Sequence, residues 1–352
     1  MCGLAGRIDF ATNLVSIPAG DIRAAAAALR HRGPDDVGIY EDPSAGVSLA
    51  HTRLSILDLS PLGHQPMLSD DGSVVLCYNG ETYNFRYLRI ERERKGVTFR
   101  GQSDTEVVLR LYEHLAAHTD SGLRNFFSQL KGIFAVAIWD AQRRQLVLAR
   151  DAAGVKPLYY VQGSGHLAFA SELKALLSLT HIPPVLDATA ADQHLSFLWT
   201  PGDRTIWTGV KRLEPGTFLR VDATGSVSKV AWYRLPCHRL KSRSSAPAHA
   251  LAKETAVRVR RAVERQMVAD VPVGAFLSGG LDSSAIVHFA QEIRPGLQCF
   301  TIRCDGPSDP GFVDDLPYAQ AAARHLGVDL HVVPASASHL VEDLEAMIWH
   351  LD

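Results

Sequence analysis

Residues 235–247 read Leu-Pro-Cys-His-Arg-Leu-Lys-Ser-Arg-Ser-Ser-Ala-Pro, a polar, basic stretch bounded by proline, and the rhythm of apolar segments differs on its two sides. Upstream, strand-like runs follow one another at 3–8, 47–51, 74–77, 132–140, 145–151, 158–161, 166–170 and 217–221. Helices are expected at 22–30 and from Ser103 onward. Many short strands with a few helices beside them pack as antiparallel sheets in an α/β sandwich. Downstream, a long amphipathic helix at 250–270 precedes strict alternation: strands at 273–277, 298–303 and 330–333, helices at 283–292, 318–326 and 338–350. That order implies a parallel sheet with crossover helices. The chain is therefore expected to hold two domains, 1–234 and 248–352, joined by a linker at 235–247. Its length of 352 residues is too great for one small core.

Composition removes several classes of function. A hydrophobic share of 46% with 21% charged residues describes a soluble globular protein, and a net charge of -2 gives no reason to expect nucleic acid or an anionic membrane as partner. Arg7 and Asp9 interrupt any apolar run at the start, so no signal peptide is expected, and no run of about 18 apolar residues offers a membrane span. The five cysteines, at 2, 77, 237, 299 and 304, lack metal-type spacing, and their scatter fits reduced thiols in a cytoplasmic protein.

Chemistry concentrates in two stretches. The chain opens Met1-Cys2-Gly3-Leu4-Ala5-Gly6. Trimming of Met1 would leave Cys2 with a thiol and a free α-amine, whose ordinary pKa is about 7.7–8. A nucleophile with a general base on the same residue is an activated one. The second stretch, Ser278-Gly279-Gly280-Leu281-Asp282-Ser283-Ser284, follows an apolar strand and opens a helix. Successive glycines allow close approach of an anion, the helix start offers unpaired N–H groups, and the three serines add hydroxyl donors, so a pyrophosphate suits this loop. Asp282 would repel phosphate unless Mg²⁺ lies between, which makes it a candidate metal ligand. No Lys follows the glycines, so the loop is not a Walker-type P-loop. Elsewhere, Asn79-Gly80 carries a strong turn signal, and Ser103-Asp104-Thr105-Glu106 opens a helix in N-cap fashion.

Taken together the motifs resemble those of the glutamine-hydrolysing asparagine synthetases. The Cys2 start, Arg30-His31-Arg32-Gly33-Pro34-Asp35, His51-Thr52-Arg53-Leu54-Ser55-Ile56, Gly63-His64-Gln65-Pro66-Met67, Tyr78-Asn79-Gly80-Glu81, Ser103-Asp104-Thr105-Glu106, the run from Arg150 to Tyr160, the run from Ala170 to Ala175 and the Ser278 loop occur in the family's order. The resemblance implies an N-terminal-nucleophile hydrolase α/β/β/α sandwich followed by a partial parallel-sheet ATP-pyrophosphatase domain. It implies that Cys2 attacks the glutamine amide while Asn79 and Gly80 form the oxyanion hole. Arg53 would hold the substrate carboxylate and Asp104 its ammonium, with Leu54, Ser55, Ile56, Leu57 and Glu81 lining the pocket. ATP would sit on Leu277, Ser278, Gly279, Gly280, Leu281, Asp282, Ser283 and Ser284, with Phe276 and Ile302 at the adenine and Mg²⁺ on Asp282. Glutamine, aspartate and ATP are the implied substrates, and the resemblance allows a homodimer. Arg32 and Lys156 are read as structural or interdomain contacts.

The chain departs from the family pattern at Thr82, at Arg303 and Cys304, and at Asp314-Asp315. The family also continues past the position of Asp352 with a Ser-Gly-x-Gly-x-Asp-Glu loop, a second Mg²⁺ carboxylate and the acceptor site. The leading expectation is an ATP-dependent carbon–nitrogen ligase that transfers glutamine nitrogen to an adenylated aspartate, giving asparagine, AMP and pyrophosphate; the chain as given, truncated at Asp352, is expected to hydrolyse glutamine without itself making asparagine. The alternatives are amidation of a different carboxylate and a non-catalytic partner subunit.

Overall fold

The computed structural model describes residues 1–10, 19–115, 118–163, 165–180, 183–236, 246–305, 314–336 and 341–352. They form two compact units, Met1–Cys237 and His238–Asp352. The middle of the expected linker, the tip of the 158–170 hairpin at residue 164 and the start of the expected last helix lie outside the described residues.

The strands of the first unit are β1 (Gly3–Asp9), β2 (Asp36–Asp42), β3 (Val47–Arg53), β4 (Met67–Leu68), β5 (Val74–Thr82), β6 (Gly132–Asp140), β7 (Gln145–Arg150), β8 (Tyr159–Gly163), β9 (His166–Ala170), β10 (Lys211–Arg212), β11 (Thr217–Val221) and β12 (Val227–Ala231). They make two six-stranded sheets, β10-β8-β9-β1-β3-β2 and β12-β11-β7-β6-β5-β4, with antiparallel pairing throughout. The helices that matter to the layering are α1 (Ala19–Ala28), α2 (Phe85–Glu93), α3 (Asp104–Leu115), α4 (Asp120–Gln129) and α5 (Leu173–Ser178).

Two-residue alternation sorts each strand between two cores. Leu4, Leu49, Leu167 and Phe169 of the first sheet meet Val75, Cys77, Trp139 and Leu148 of the second. On the outer face of the first sheet, Ala5, Ala50, Ala168 and Ala170 let α1, the turn that follows it and α5 approach through Ile22, Ala25, Leu29 and Leu176. On the outer face of the second sheet, Tyr78, Phe134 and Phe218 form an aromatic layer with Phe127 of α4, centroids 5.7–6.1 Å apart. Each such fully buried side chain contributes roughly 2 kcal/mol. The result is the α/β/β/α sandwich, with β1 in the middle of its sheet and Cys2 at the head of it.

Three local expectations are corrected. Asn79-Gly80 is not a turn: both residues lie inside β5, paired with Ala135 and Phe134 in a nine-residue ladder that overrides the dipeptide's local preference. Gly80 is needed for packing, since a Cβ there would lie 2.2 Å from the Ile133 carbonyl oxygen. No strand is expected between the 22–30 helix and the 47–51 run, yet β2 occupies Asp36–Asp42. β11 is not the last strand of the unit, because β12 pairs along it.

α6 (Ala188–Phe197) is the last helix described in the first unit. In the second unit the order is α7 (Ala248–Gln266), β13 (Gly274–Phe276), α8 (Leu281–Ile293), β14 (Gln298–Asp305), α9 (Leu316–Leu326), β15 (Asp329–Ser336) and a helix at Leu344–Leu351. The three strands form a parallel sheet in the order β13-β14-β15. One face is covered: Leu277 and Cys299 pack on Val263 of α7, Val287 and Ala290 of α8 and Ala323 of α9. Register and alternation place Phe276, Phe300, Ile302 and Val333 together on the opposite face. All four are exposed, Phe276 at 81%.

Candidate active site

Cys2 is delivered by the register of the first sheet. Gly3 opposes Thr52, which brings Cys2 level with Arg53, the last residue of β3, and against the segment that follows it. There the Leu54 N–H points at the Cys2 sulfur at 3.4 Å, and the Arg32 guanidinium donates to the Cys2 carbonyl at 3.0 Å. Arg32 is anchored in turn on Glu172 at 2.7 Å. Burial pushes the Cys2 thiol above its ordinary pKa, opposed by the Leu54 hydrogen bond, the N-terminal amine and Lys156. The resting group is thus a thiol, and a nucleophilic step needs a base. The Met1 amine beside it is held below its ordinary value, chiefly by burial.

A cleft opens from this sulfur, lined by Cys2, Arg53, Leu54, Ile56, Leu57, Gln65, Tyr78, Gly80, Glu81, Asp104 and Thr105. Arg53 is buried. Its guanidinium donates to three backbone carbonyls of the segment after β3: Leu57 at 3.1 Å, Ser60 at 3.2 Å, and Asp58. Gly63 makes room for it, since a Cβ there would overlap Nη2. Among the described residues no carboxylate lies within ion-pair distance of it, although Asp58 and Asp104 are near enough to feel its charge; a buried cation facing the cleft suits an anionic ligand.

Asp104, at the head of α3, is buried on the other side. It accepts from the Thr82 N–H at 2.7 Å. Burial raises its carboxyl to about 6, against hydrogen bonds from the Thr82 and Thr105 N–H groups that pull it down. A cation bound beside it would hold it ionised.

The wall between these charges is the free edge of β5. β4 pairs only with Val75 and Leu76; beyond it, side chains take the strand's polar groups. The Tyr78 N–H donates to Gln65 at 2.6 Å and the Thr82 N–H to Asp104. Phe134, opposite Gly80, spends both its N–H and its carbonyl on Asp151, so the Gly80 N–H points away from β6 and into the cleft, between those two. Asn79 follows Val75 and Cys77 on the face toward β1, and its side-chain amide is buried with neither its oxygen nor its nitrogen partnered. An orphaned amide next to an outward N–H is a ready pair of donors for an oxyanion.

Most of the expected site residues therefore converge. Neither Ser55 nor Asn79 is among the lining residues: Asn79 is buried beside the lining residues Tyr78 and Gly80, and the Ser55 N–H is taken by Asp35 at 2.7 Å. Gln65, Tyr78 and Thr105 line the cleft without having been expected there, although the Gly63–Met67, Tyr78–Glu81 and Ser103–Glu106 motifs contain them. Lys156, read as structural, lies within electrostatic reach of Cys2 and Glu81, and burial lowers its ammonium below the ordinary value.

In the second unit the Ser278 loop closes on itself. Ser278 and Ser283 hydroxyls meet at 3.1 Å, and the Ser284 N–H returns to the Gly280 carbonyl at 3.0 Å to begin α8. The two glycines have different reasons. Gly279 is left-handed, φ 80°, and a Cβ would lie 2.3 Å from the Tyr318 backbone. Gly280 has room for one, its nearest neighbour being Ser278 Oγ at 3.4 Å. Phe276 and Ile302 stand exposed beside the loop, so neither is a core strand residue. Among the described residues no three His, Cys, Asp or Glu side chains cluster as a metal cage. Asp282 alone fits Mg²⁺ only in company with phosphate oxygens, which is one of the ways that ion is held.

An α/β/β/α sandwich of antiparallel sheets with a cysteine heading its central strand is the architecture of N-terminal-nucleophile amidotransferases. The comparisons agree, and this chain belongs to the glutamine amidotransferase domain family, which matches residues 1–233, while the asparagine synthase family matches residues 254–352. Asparagine synthetase [glutamine-hydrolyzing] 1 of Bacillus subtilis is 35% identical over 322 residues, 92% of this chain and 48% of that protein. Amidase chyE of Penicillium rubens is 34% identical, covering 91% of this chain and 47% of its own length. A putative asparagine synthetase [glutamine-hydrolyzing] 2 of Methanocaldococcus jannaschii is 31% identical over 100% of this chain and 68% of that protein. The chain thus spans about half the length of the first two relatives. The solved structure of the allosteric regulatory enzyme of purine biosynthesis shares the fold, at 17% identity and a TM-score of 0.50, over 95% of this chain and 80% of that one. No helix among the described residues is long and apolar enough to cross a membrane.

Proposed function

We propose that the first unit is a glutaminase whose released ammonia serves an ATP-dependent synthetase of which the second unit is part. The observation that carries this is the convergence, on one cleft, of a cysteine thiol, a buried Arg53 with no ion-pair partner among the described residues, a buried Asp104 and the Gly80 N–H, with the unpartnered Asn79 amide buried next to Gly80. Glutamine has the matching shape: a carboxylate for Arg53, an ammonium for Asp104, and a side-chain amide for Cys2.

After removal of Met1 the Cys2 α-amine takes the thiol proton as sulfur attacks the amide carbon. Charge develops on the carbonyl oxygen, where the Asn79 amide and Gly80 N–H each supply about 3–4 kcal/mol of transition-state stabilisation. The amine then gives its proton to the leaving ammonia, and water releases glutamate. In the second unit the Ser278 loop would take the pyrophosphate of ATP, Phe276 and Ile302 would flank the base, and Asp282 would be the protein's ligand for Mg²⁺. When bound, that ion neutralises the phosphate charge beside Asp282. The acceptor favoured by the asparagine synthetases among the relatives is aspartate, activated as its acyl-adenylate. The likeness to amidase chyE favours a second reading, in which another carboxylate is amidated by the same chemistry.

Purified chain should release glutamate from glutamine, and Cys2→Ala should not. Equal rates for the two proteins would refute the glutaminase reading.

A further inference from the structure

Resting on that reading, we propose that His51 is a positioning residue for the oxyanion hole: it clamps the β5 edge through the Tyr78 carbonyl and so sets the direction of the Gly80 N–H and the Asn79 amide.

His51 is 1% exposed and lies on β3, opposite Leu4 of β1. Alternation places it with Leu49 on the face toward the second sheet. Its Nε2 meets the Tyr78 carbonyl at 3.1 Å. A carbonyl can only accept, so Nε2 carries the hydrogen and Nδ1 is the bare nitrogen. Nδ1 is buried without a protein partner, which a neutral imidazole tolerates and an imidazolium does not. Burial, with Arg53 and His64 acting in the same direction against Asp36 and the Tyr78 carbonyl, lowers its pKa to about 4.

The clamp has two jaws on one residue. Gln65 takes the Tyr78 N–H at 2.6 Å while His51 takes its carbonyl. Neither jaw comes from a neighbouring strand, because β4 ends two residues earlier. Tyr78 immediately precedes Asn79 and Gly80: its N–H and its carbonyl belong to the peptide planes on either side of it, so the two bonds hold the strand edge directly upstream of the Asn79 side chain and of the Asn79–Gly80 peptide that carries the Gly80 N–H. An edge strand without a neighbour would otherwise be free to tilt, and a donor displaced by about 1 Å loses much of its effect on a transition state. His51 also sits two residues along the ladder from Cys2, so one side chain ties the nucleophile's sheet to the oxyanion's strand.

The variants His51→Phe and His51→Gln separate this role from mere packing, because glutamine's Nε2 can stand where the imidazole Nε2 stands. His51→Phe should lower kcat for glutamine hydrolysis by about 30-fold, less than outright removal of a donor, with KM changed less than about twofold. Affinity for glutamate γ-semialdehyde, whose carbonyl adds reversibly to the thiol to place an oxygen in the hole, should fall by a similar factor. Alkylation of Cys2 by iodoacetamide should keep its rate, and His51→Gln should recover most of the kcat. An unchanged kcat in His51→Phe, or equal losses in kcat and alkylation rate, would overturn the proposal. Should the phenylalanine variant not fold, ¹⁵N NMR of the wild-type imidazole decides: a neutral Nε2–H tautomer down to about pH 5 is expected, and an imidazolium or Nδ1–H form at neutral pH would overturn it. A wild-type chain with no glutaminase activity would instead defeat the reading on which the proposal rests.

Discussion

Asp104→Asn should make the first unit more stable at pH 8 while destroying its affinity for glutamine. The carboxyl titrates at 3.8 in the ordinary case and at about 6 here, raised by burial. The folded state therefore holds the proton more tightly than the unfolded chain. The stability tied to that proton is fully present below about pH 4 and is lost as pH rises through about 6. A difference of roughly two pH units corresponds to about 3 kcal/mol at pH 8, the pull of the Arg53 charge being already included in it. Asparagine removes the buried charge and keeps an oxygen to accept from the Thr82 N–H. Urea unfolding of wild type and variant from pH 4 to 8, followed by tryptophan fluorescence, measures the gap, since Trp139, Trp199, Trp207 and Trp232 all lie in this unit. The variant should be the more stable protein at pH 8 by about 1–3 kcal/mol, and the difference should close toward pH 4. Calorimetric titration should detect no glutamine binding to the variant. A pH-independent difference, or a less stable variant at pH 8, would show that Asp104 is not a strained buried carboxylate awaiting a cation.

Intact-mass measurement of active protein should show Met1 absent, and Cys2→Ala should leave ammonia-dependent synthesis, where present, untouched. Arg53→Ala should raise KM for glutamine by on the order of 100-fold through loss of a bidentate contact, and should also lower stability by about 1–3 kcal/mol, because the carbonyls of Leu57, Asp58 and Ser60 lose their donor; a normal KM would mean the guanidinium serves only those carbonyls. Gly279→Ala should unfold or distort the Ser278 loop, where a Cβ meets the Tyr318 backbone at 2.3 Å, whereas Gly280→Ala should fold normally, its nearest neighbour being 3.4 Å away. If nucleotide binding by Gly280→Ala, followed by equilibrium dialysis, matches wild type, close phosphate approach at that glycine is excluded.

What could be read from the residues, and what could not, follows from range. The two-domain order and the parallel second sheet follow from the spacing of apolar runs, a local property. Cys2, Arg53 and Asp104 stand out because a buried nucleophile, a buried guanidinium and a helix-opening carboxylate each belong to a short, ordered motif. Asn79-Gly80 was misread because a dipeptide's preference for a turn is local, while the β6 ladder that straightens it lies more than 50 residues away. Gln65 and His51 were invisible as clamps for the same reason: each reaches the Tyr78 backbone across a gap in sequence that periodicity does not register. Ser55 was over-assigned because its neighbours Leu54 and Ile56 do line the cleft. The two glycines at 279 and 280 look equivalent in the sequence, and only the approach of α9 separates them.

The central claim is that Cys2 is the residue that attacks glutamine. Incubation with the glutamine analogue 6-diazo-5-oxo-L-norleucine, followed by peptide mapping, tests it directly. A single label on a peptide that begins at Cys2, suppressed by excess glutamine, is the predicted result. Label on Cys77 or Cys299, label on a peptide that retains Met1, or labelling indifferent to glutamine would contradict the account.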